Sequence, residues 1–134
     1  MSIKGYRRIR VLSIILLFIT GLNALVAGYL FILDPSGKYV GITTELLEHS
    51  PFKNYLIPGL VLFTFNGIMN IVAAGLTIRR IRFYPYLILF QGIVLVVWIL
   101  LQVVFLQMFQ ALHFVMGVIG IVLIICGASL AGKK

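Results

Sequence analysis

Residues 50–75, SPFKNYLIPGLVLFTFNGIMNIVAAG, decide the fold. Ser50-Pro51 closes a polar stretch, and Pro58 predicts a helix start, because a first-turn residue has no helical partner for the amide that proline lacks. The apolar run behind Pro58 then carries Asn66 and Asn70. Four apart, they share one helix face. A carboxamide facing hydrocarbon is costly, so that face is expected to meet protein or water.

Outward from this stretch the chain repeats the pattern. Of its 134 residues 62% are hydrophobic and only 10% charged, against about 25% charged in a soluble domain. The apolar residues form four blocks, at 11–33, 56–78, 84–106 and 111–131, each near the ~20 residues that span a bilayer. The expected fold is all-α: a polytopic membrane protein built as one antiparallel up-down bundle of four transmembrane helices, residues 1–134 making a single domain. The first block follows a basic segment, as a signal peptide would, but runs on to Leu33, beyond the 7–15 residues of a signal core. It is expected to stay as the first helix.

The net charge of +8 raises nucleic acid as a partner, but the charge distribution has a simpler cause. Lys4, Arg7, Arg8, Arg10, Arg79, Arg80, Arg82, Lys133 and Lys134 fall on one side of a four-span topology. Only Lys38 and Lys53, of 11 basic residues, fall on the other. The positive-inside rule predicts an inner-membrane protein with both termini and the 79–83 turn in the cytoplasm. The expected partners are membrane lipids, with a homo-oligomer or a membrane-protein partner as alternatives; nucleic acid is not expected.

Loop 34–54 holds all three acids, Asp34, Glu45 and Glu48. Asp34-Pro35-Ser36-Gly37 has turn chemistry. Thr43 or Thr44 predicts a cap for a short helix over 45–49, with Leu46 and Leu47 covering the bundle's outer mouth. Glu45 and His49, at i and i+4, offer at most a weak cation site, and no metal is assigned. Small residues form two stripes, Gly21, Ala24 and Gly28 in the first span and Gly117, Gly120, Gly127 and Ala131 in the fourth. Such stripes let helices approach closely within the bundle, or else form an oligomer face.

Depth along the helices, at 1.5 Å per residue, sorts the uncharged polar residues. Asn23 and Asn66 come out about 18 Å from the inner end, Asn70 about 12 Å and Gln91 about 10 Å. These four make a buried polar layer, in which Asn66 is expected to bond across to the first helix near Asn23. Gln102 and His113 match at about 27 Å. With Trp98 one turn from Gln102, and Phe105, Phe109 and Phe114 nearby, they predict an outer, mostly apolar pocket between the third and fourth helices.

Several chemistries lack their residues. One cysteine, Cys126, excludes an intrachain disulfide or a Cys-x-x-Cys pair such as vitamin K epoxide reductase-like enzymes use. No span holds an Asp or Glu, the group on which proton-coupled exporters of the small multidrug resistance type depend. No P-loop, H-E-x-x-H or G-x-S-x-G occurs, and His113 alone makes no bis-His haem site. No catalytic residue and no cofactor is assigned.

The segments Asp34-Pro35-Ser36-Gly37, Ser50-Pro51-Phe52 and Tyr55-Leu56-Ile57-Pro58-Gly59-Leu60 resemble those of small bacterial four-helix membrane proteins, similar in size and topology to DoxX-like proteins. The resemblance implies a prokaryotic inner-membrane location and carries no catalytic residues. The expected function is binding of a hydrophobic ligand, lipid-like or quinone-like, or of a membrane partner, by Trp98, Gln102, Phe109, His113 and Phe114. An oligomeric channel or carrier for small solutes is the alternative, and a lipid-modifying enzyme comes third.

Overall fold

A computed structural model describes residues 3–40, 51–106 and 111–132, with only the backbone at 40, 105–106 and 111–113. Among the described residues there are four helices long and apolar enough to cross a membrane. They are α1 (Ile3–Leu33), α2 (Leu56–Ile78), α3 (Tyr84–Leu106) and α4 (Ala111–Ala131). The expected cap and short helix at 43–49, and the link at 107–110, lie outside the described residues. α1 begins eight residues before its apolar block, so Lys4, Arg7, Arg8 and Arg10 are helical. At 31 residues it is about 46 Å long, beyond the ~30 Å of a hydrocarbon core.

The helices pair into two hairpins. Gly21 abuts Asn70 and Ile71, while Gly28 abuts Phe63 and Gly59. Numbers rise on α1 as they fall on α2, so the pair is antiparallel. α3 and α4 pair in the same sense, with Gly127 against Leu89 and Gly120 against Val96. Gly21, Ala24 and Gly28, with Gly120 and Gly127, are therefore buried within the chain, whereas Gly117 faces open space. Close approach of backbones is the source of this packing, since hydrocarbon gives no solvent-driven push.

α2 is not one regular helix. It begins at Leu56, two residues before the expected start, and Pro58 sits inside its first turn. The Asn54 side chain accepts the Leu56 N–H at 3.0 Å. Leu62–Ile68 is a π stretch, closed by the Met69 N–H on the Thr64 carbonyl. Gly59, Phe63, Gly67 and Ile71, spaced by four, all face α1. A helix of 3.6 residues per turn would carry that row about 40° off line at every step. The wider π turn absorbs the mismatch, and such turns recur at functional sites.

The hairpins meet at one end. Leu17, Ala73, Ala74, Ile88, Leu123, Cys126 and Leu130 form a buried cluster, with Tyr6, Ile9 and Tyr84 packed on it. It joins early α1 to late α2, early α3 and late α4, the end that carries the basic residues. α3 touches α2 mainly over Met69–Ile78, less over Leu62–Ile68, and not at Leu56–Val61. The hairpins diverge toward the loop end, where each is held by its own contacts. There Phe31 stacks on Tyr55 at 4.9 Å, and the Tyr55 N–H donates to the Pro35 carbonyl at 2.8 Å.

Turn chemistry closes α1 at the loop end and α2 at the basic end. The Gly37 N–H donates to the Asp34 carbonyl at 3.1 Å, with Gly37 at φ 84°. The Ser36 hydroxyl and then its N–H bond the Asp34 carboxylate, at 2.7 and 3.0 Å, and hold its pKa below the usual carboxylate value. At the basic end, Ile81 N–H to Leu76 O and Arg80 N–H to Thr77 O, both 3.1 Å, close a Schellman turn. Arg80, at φ 55°, holds the place where glycine is usual.

The α3–α4 seam gives a direct check. A Cβ at Gly127 would lie 2.5 Å from the Leu89 nitrogen, whereas one at Gly117 would meet nothing within 4 Å. We expect Gly127→Ala to destabilise the protein by about 1–3 kcal/mol in detergent unfolding titrations, as an overpacked core does. Gly117→Ala should be neutral or slightly stabilising. Equal effects would refute the seam.

Candidate functional site

The divergence of the hairpins opens a cleft between α2 and α3. Val61, Phe65 and Asn66 line one wall, and Ile93, Val94, Val97, Trp98 and Leu101 the other. Its volume is about 220 Å³, below the ~300–1,000 Å³ of sites that swallow a drug-sized ligand. Phe65, Ile93 and Val97 are each nearly half exposed, so the cleft opens sideways along the apolar surface.

Below it lies a layer of buried polar side chains. Thr20 on α1, Asn66 and Asn70 on α2 and Gln91 on α3 are each at most 1% exposed. Helix pairing puts Thr20 and Asn70 at similar depth, since Gly21, next to Thr20, abuts Asn70; the α2–α3 turn puts Gln91 near the same depth, and Asn66 stands about one turn farther from that turn. The Asn70 Nδ2 donates to the Asn66 backbone carbonyl at 2.6 Å. Thr20 Oγ1, both side-chain polar atoms of Asn66, Asn70 Oδ1 and Gln91 Oε1 have no hydrogen-bond partner. Other buried hydroxyls are satisfied on their own helix, Ser13 on the Ile9 carbonyl at 2.8 Å and Thr77 on the Ala73 carbonyl at 2.7 Å.

Five orphaned atoms on four side chains are unusual, because each buried unmade bond costs about 1–3 kcal/mol. Asn66 links the two features, lining the cleft and belonging to the layer. It lies about 15 Å from the Leu56 end of α2 and about 18 Å from the Ile78 end. Among the described residues there is no group of three or more His, Cys, Asp or Glu side chains able to hold a metal.

The expected residues fall into three groups. Asn66, Asn70 and Gln91 are buried together, and Trp98 lines the cleft. Asn23 is a correction: it is exposed on the bundle's outer surface and makes no layer with the others. Depth puts it level with Asn66, but it lies about 100° around the helix from Ala24, which is buried on the α2-facing seam. The expected bond from Asn66 to the neighbourhood of Asn23 is absent. Gln102 is half-buried and does not line the cleft, and Phe114 is 61% exposed. Phe109, with Leu46, Leu47 and the Glu45–His49 pair, lies outside the described residues. So do the side chains of His113 and Phe105. The described cleft sits between α2 and α3, whereas α3 and α4 approach closely at Gly92, Gly120 and Gly127.

Thr20 is the layer member that sequence reasoning passed over. Its position four before Ala24, on the small-residue seam, was the available signal. Comparison with protein-family models, with curated proteins and with solved structures finds no match. The resemblance to DoxX-like proteins therefore rests on the quoted segments alone.

If the Asn66 carboxamide is left for an outside partner, removing it should help the empty protein. We expect Asn66→Leu to raise stability by about 1–3 kcal/mol in delipidated detergent, read by thermal or denaturant unfolding. A loss of similar size would show that Asn66 is bonded within the fold.

Proposed function

We propose that this chain is a multi-pass inner-membrane protein, with cytoplasmic termini, that holds an uncharged hydrophobic ligand in the cleft between α2 and α3. The observation that carries this reading is Asn66, a fully buried carboxamide without a partner at the base of an otherwise mostly apolar cleft. Few polar groups set in apolar walls are the usual make-up of a small-molecule site. A sideways opening among exposed apolar residues suits a ligand arriving from the bilayer. The orientation rests on the basic residues, nine of eleven on one side of the four spans.

The channel or carrier reading draws on the same polar layer, but the apolar cluster around Leu17, Ile88 and Leu123 fills the basic half beneath it. A pocket closed at its inner end fits binding better than passage through one chain. No reaction is assigned, since the layer holds amides and a hydroxyl and no general acid or base.

Filling the cleft tests the reading. Val94, on its α3 wall, is changed to Trp, and compounds extracted from gently purified wild type and V94W are compared by mass spectrometry. Wild type should carry a hydrophobic compound above the bulk-lipid background. V94W should lose most of it while keeping its helical circular dichroism and unfolding transition. Equal content in the two folded proteins would refute ligand binding in this cleft.

A further inference from the structure

Within the apolar block of α1, Ser13 and Thr20 are buried, whereas Asn23 is exposed. It stands about 18 Å along the helix from Val11 and about 15 Å from Leu33, near the middle of a spanning helix. Neither water nor lipid headgroups reach that depth, and a carboxamide left in hydrocarbon is costly. Among the described residues its side chain has no hydrogen-bond partner. Even the bond that Asn70 makes, from Nδ2 to the carbonyl four residues back, would leave the Asn23 Oδ1 without a donor.

The carboxamide sits in a seam. Leu12, Leu16, Ile19, Val26, Leu30 and Leu33 flank it at alternating steps of three and four, and all are exposed or half-buried. This is the a/d spacing of a coiled coil, with one asparagine among apolar residues. Apolar residues at such steps are ordinary in a spanning helix, and they rest in hydrocarbon without cost. Asn23 is what requires this face to be covered. Gly21 and Gly28 already serve α2, so the seam is a second face of α1.

We infer that α1 docks in parallel on α1 of a second copy of this chain, with the two Asn23 carboxamides hydrogen-bonded to each other across a two-fold axis. Depth favours this partner, because two copies inserted in the same sense hold Asn23 at the same level. Chemistry does too, because a carboxamide is its own complement: each Nδ2 donates to the other's Oδ1, and the remaining N–H of each is left for its own helix. The contact is the same patch on both copies, so it closes as a dimer. A single asparagine at such a position is a known means of fixing register and the number of strands. A lipid chain offers neither donor nor acceptor. The basic residues of α1 precede Val11, at the level of anionic headgroups and salt, which screen one copy from the other. No α1 residue lines the cleft between α2 and α3, so the dimer and the ligand reading stand or fall separately.

Energy transfer between copies tests the dimer. Full-length protein carrying Lys38→Cys, exposed at the loop end while Cys126 is buried, is labelled with donor or acceptor dye and reconstituted in phosphatidylcholine vesicles over a range of protein-to-lipid ratios. Wild type should associate, and Asn23→Leu should need about fivefold to tenfold more protein per lipid to reach the same transfer, as expected for two interhelical bonds. Asn23→Gln should keep most of the association. At dilutions where all are monomeric, N23L should keep the helical circular dichroism and unfolding transition of wild type. Under copper-phenanthroline, Val26→Cys copies should join by a disulfide, and Val72→Cys copies, on the exposed side of α2, should not. Absence of transfer by wild type at every ratio, or equal transfer in wild type and N23L, would overturn the inference. So would equal or reversed cross-linking at the two positions, or a monomer destabilised by N23L, which would show Asn23 bonded within its own chain.

Discussion

A polar atom inside a bilayer protein has no water to fall back on, and this constraint governs the whole molecule. Interhelical hydrogen bonds between uncharged side chains in membranes contribute about 0.6 kcal/mol on average, and an unmade one costs more than a made one gains. Ser13 and Thr77 meet the constraint by bonding to their own helix. Asn70 meets half of it through the Asn66 carbonyl. Thr20, Asn66 and Gln91 leave it unmet on the atoms that face the layer, and they do so where the two hairpins begin to part. One of these unsatisfied groups, Asn66, stands at the edge of the cleft, and none belongs to the apolar cluster.

That arrangement follows from how the hairpins are made. Each is held by backbone approach at small residues, Gly28 on Gly59 and Phe63 in one, Gly127 on Leu89 in the other. Between hairpins the packing is of side chains, concentrated at the basic end around Leu17, Ile88 and Leu123. The π stretch of α2 holds the α1-facing row in line. It also lies at the level where α3 turns away, with Asn66 between the two. Stability is gathered at one end, leaving the other end of the α2–α3 interface open.

Much of this was legible in the residues. Four apolar blocks of spanning length, with Pro58 in a first turn and Asp34-Pro35-Ser36-Gly37 as a turn, marked out the helices and several of their ends. The pairing of Asn66 with Asn70 on one face, and the burial of Gln91, followed from the cost of facing lipid. Asn23 shows where that reasoning stops. Distance along an axis sets depth, but the phase of the small-residue seam sets facing, and Gly21, Ala24 and Gly28 already placed Asn23 off the seam. The π stretch had no such signal, because it arises from matching α2 to α1 and belongs to neither helix alone. Trp98 shares its described cleft with α2, whereas α3 and α4 are held close at Gly92, Gly120 and Gly127; the outer ends of α3 and α4, where the pocket was expected, lie largely outside the described side chains.

The central claim is that the Asn66 carboxamide is completed from outside the polypeptide. Proton-detected solid-state NMR on protein with ¹⁵N-labelled asparagine side chains, in lipid extracted from its own membrane, addresses it directly. The Asn66 Nδ2 resonance, assigned by its loss in Asn66→Leu, should show through-space contacts to alkyl protons that belong to no residue of the chain. Contacts confined to the side chains of Thr20, Asn70 or Gln91, or to water alone, would contradict the account.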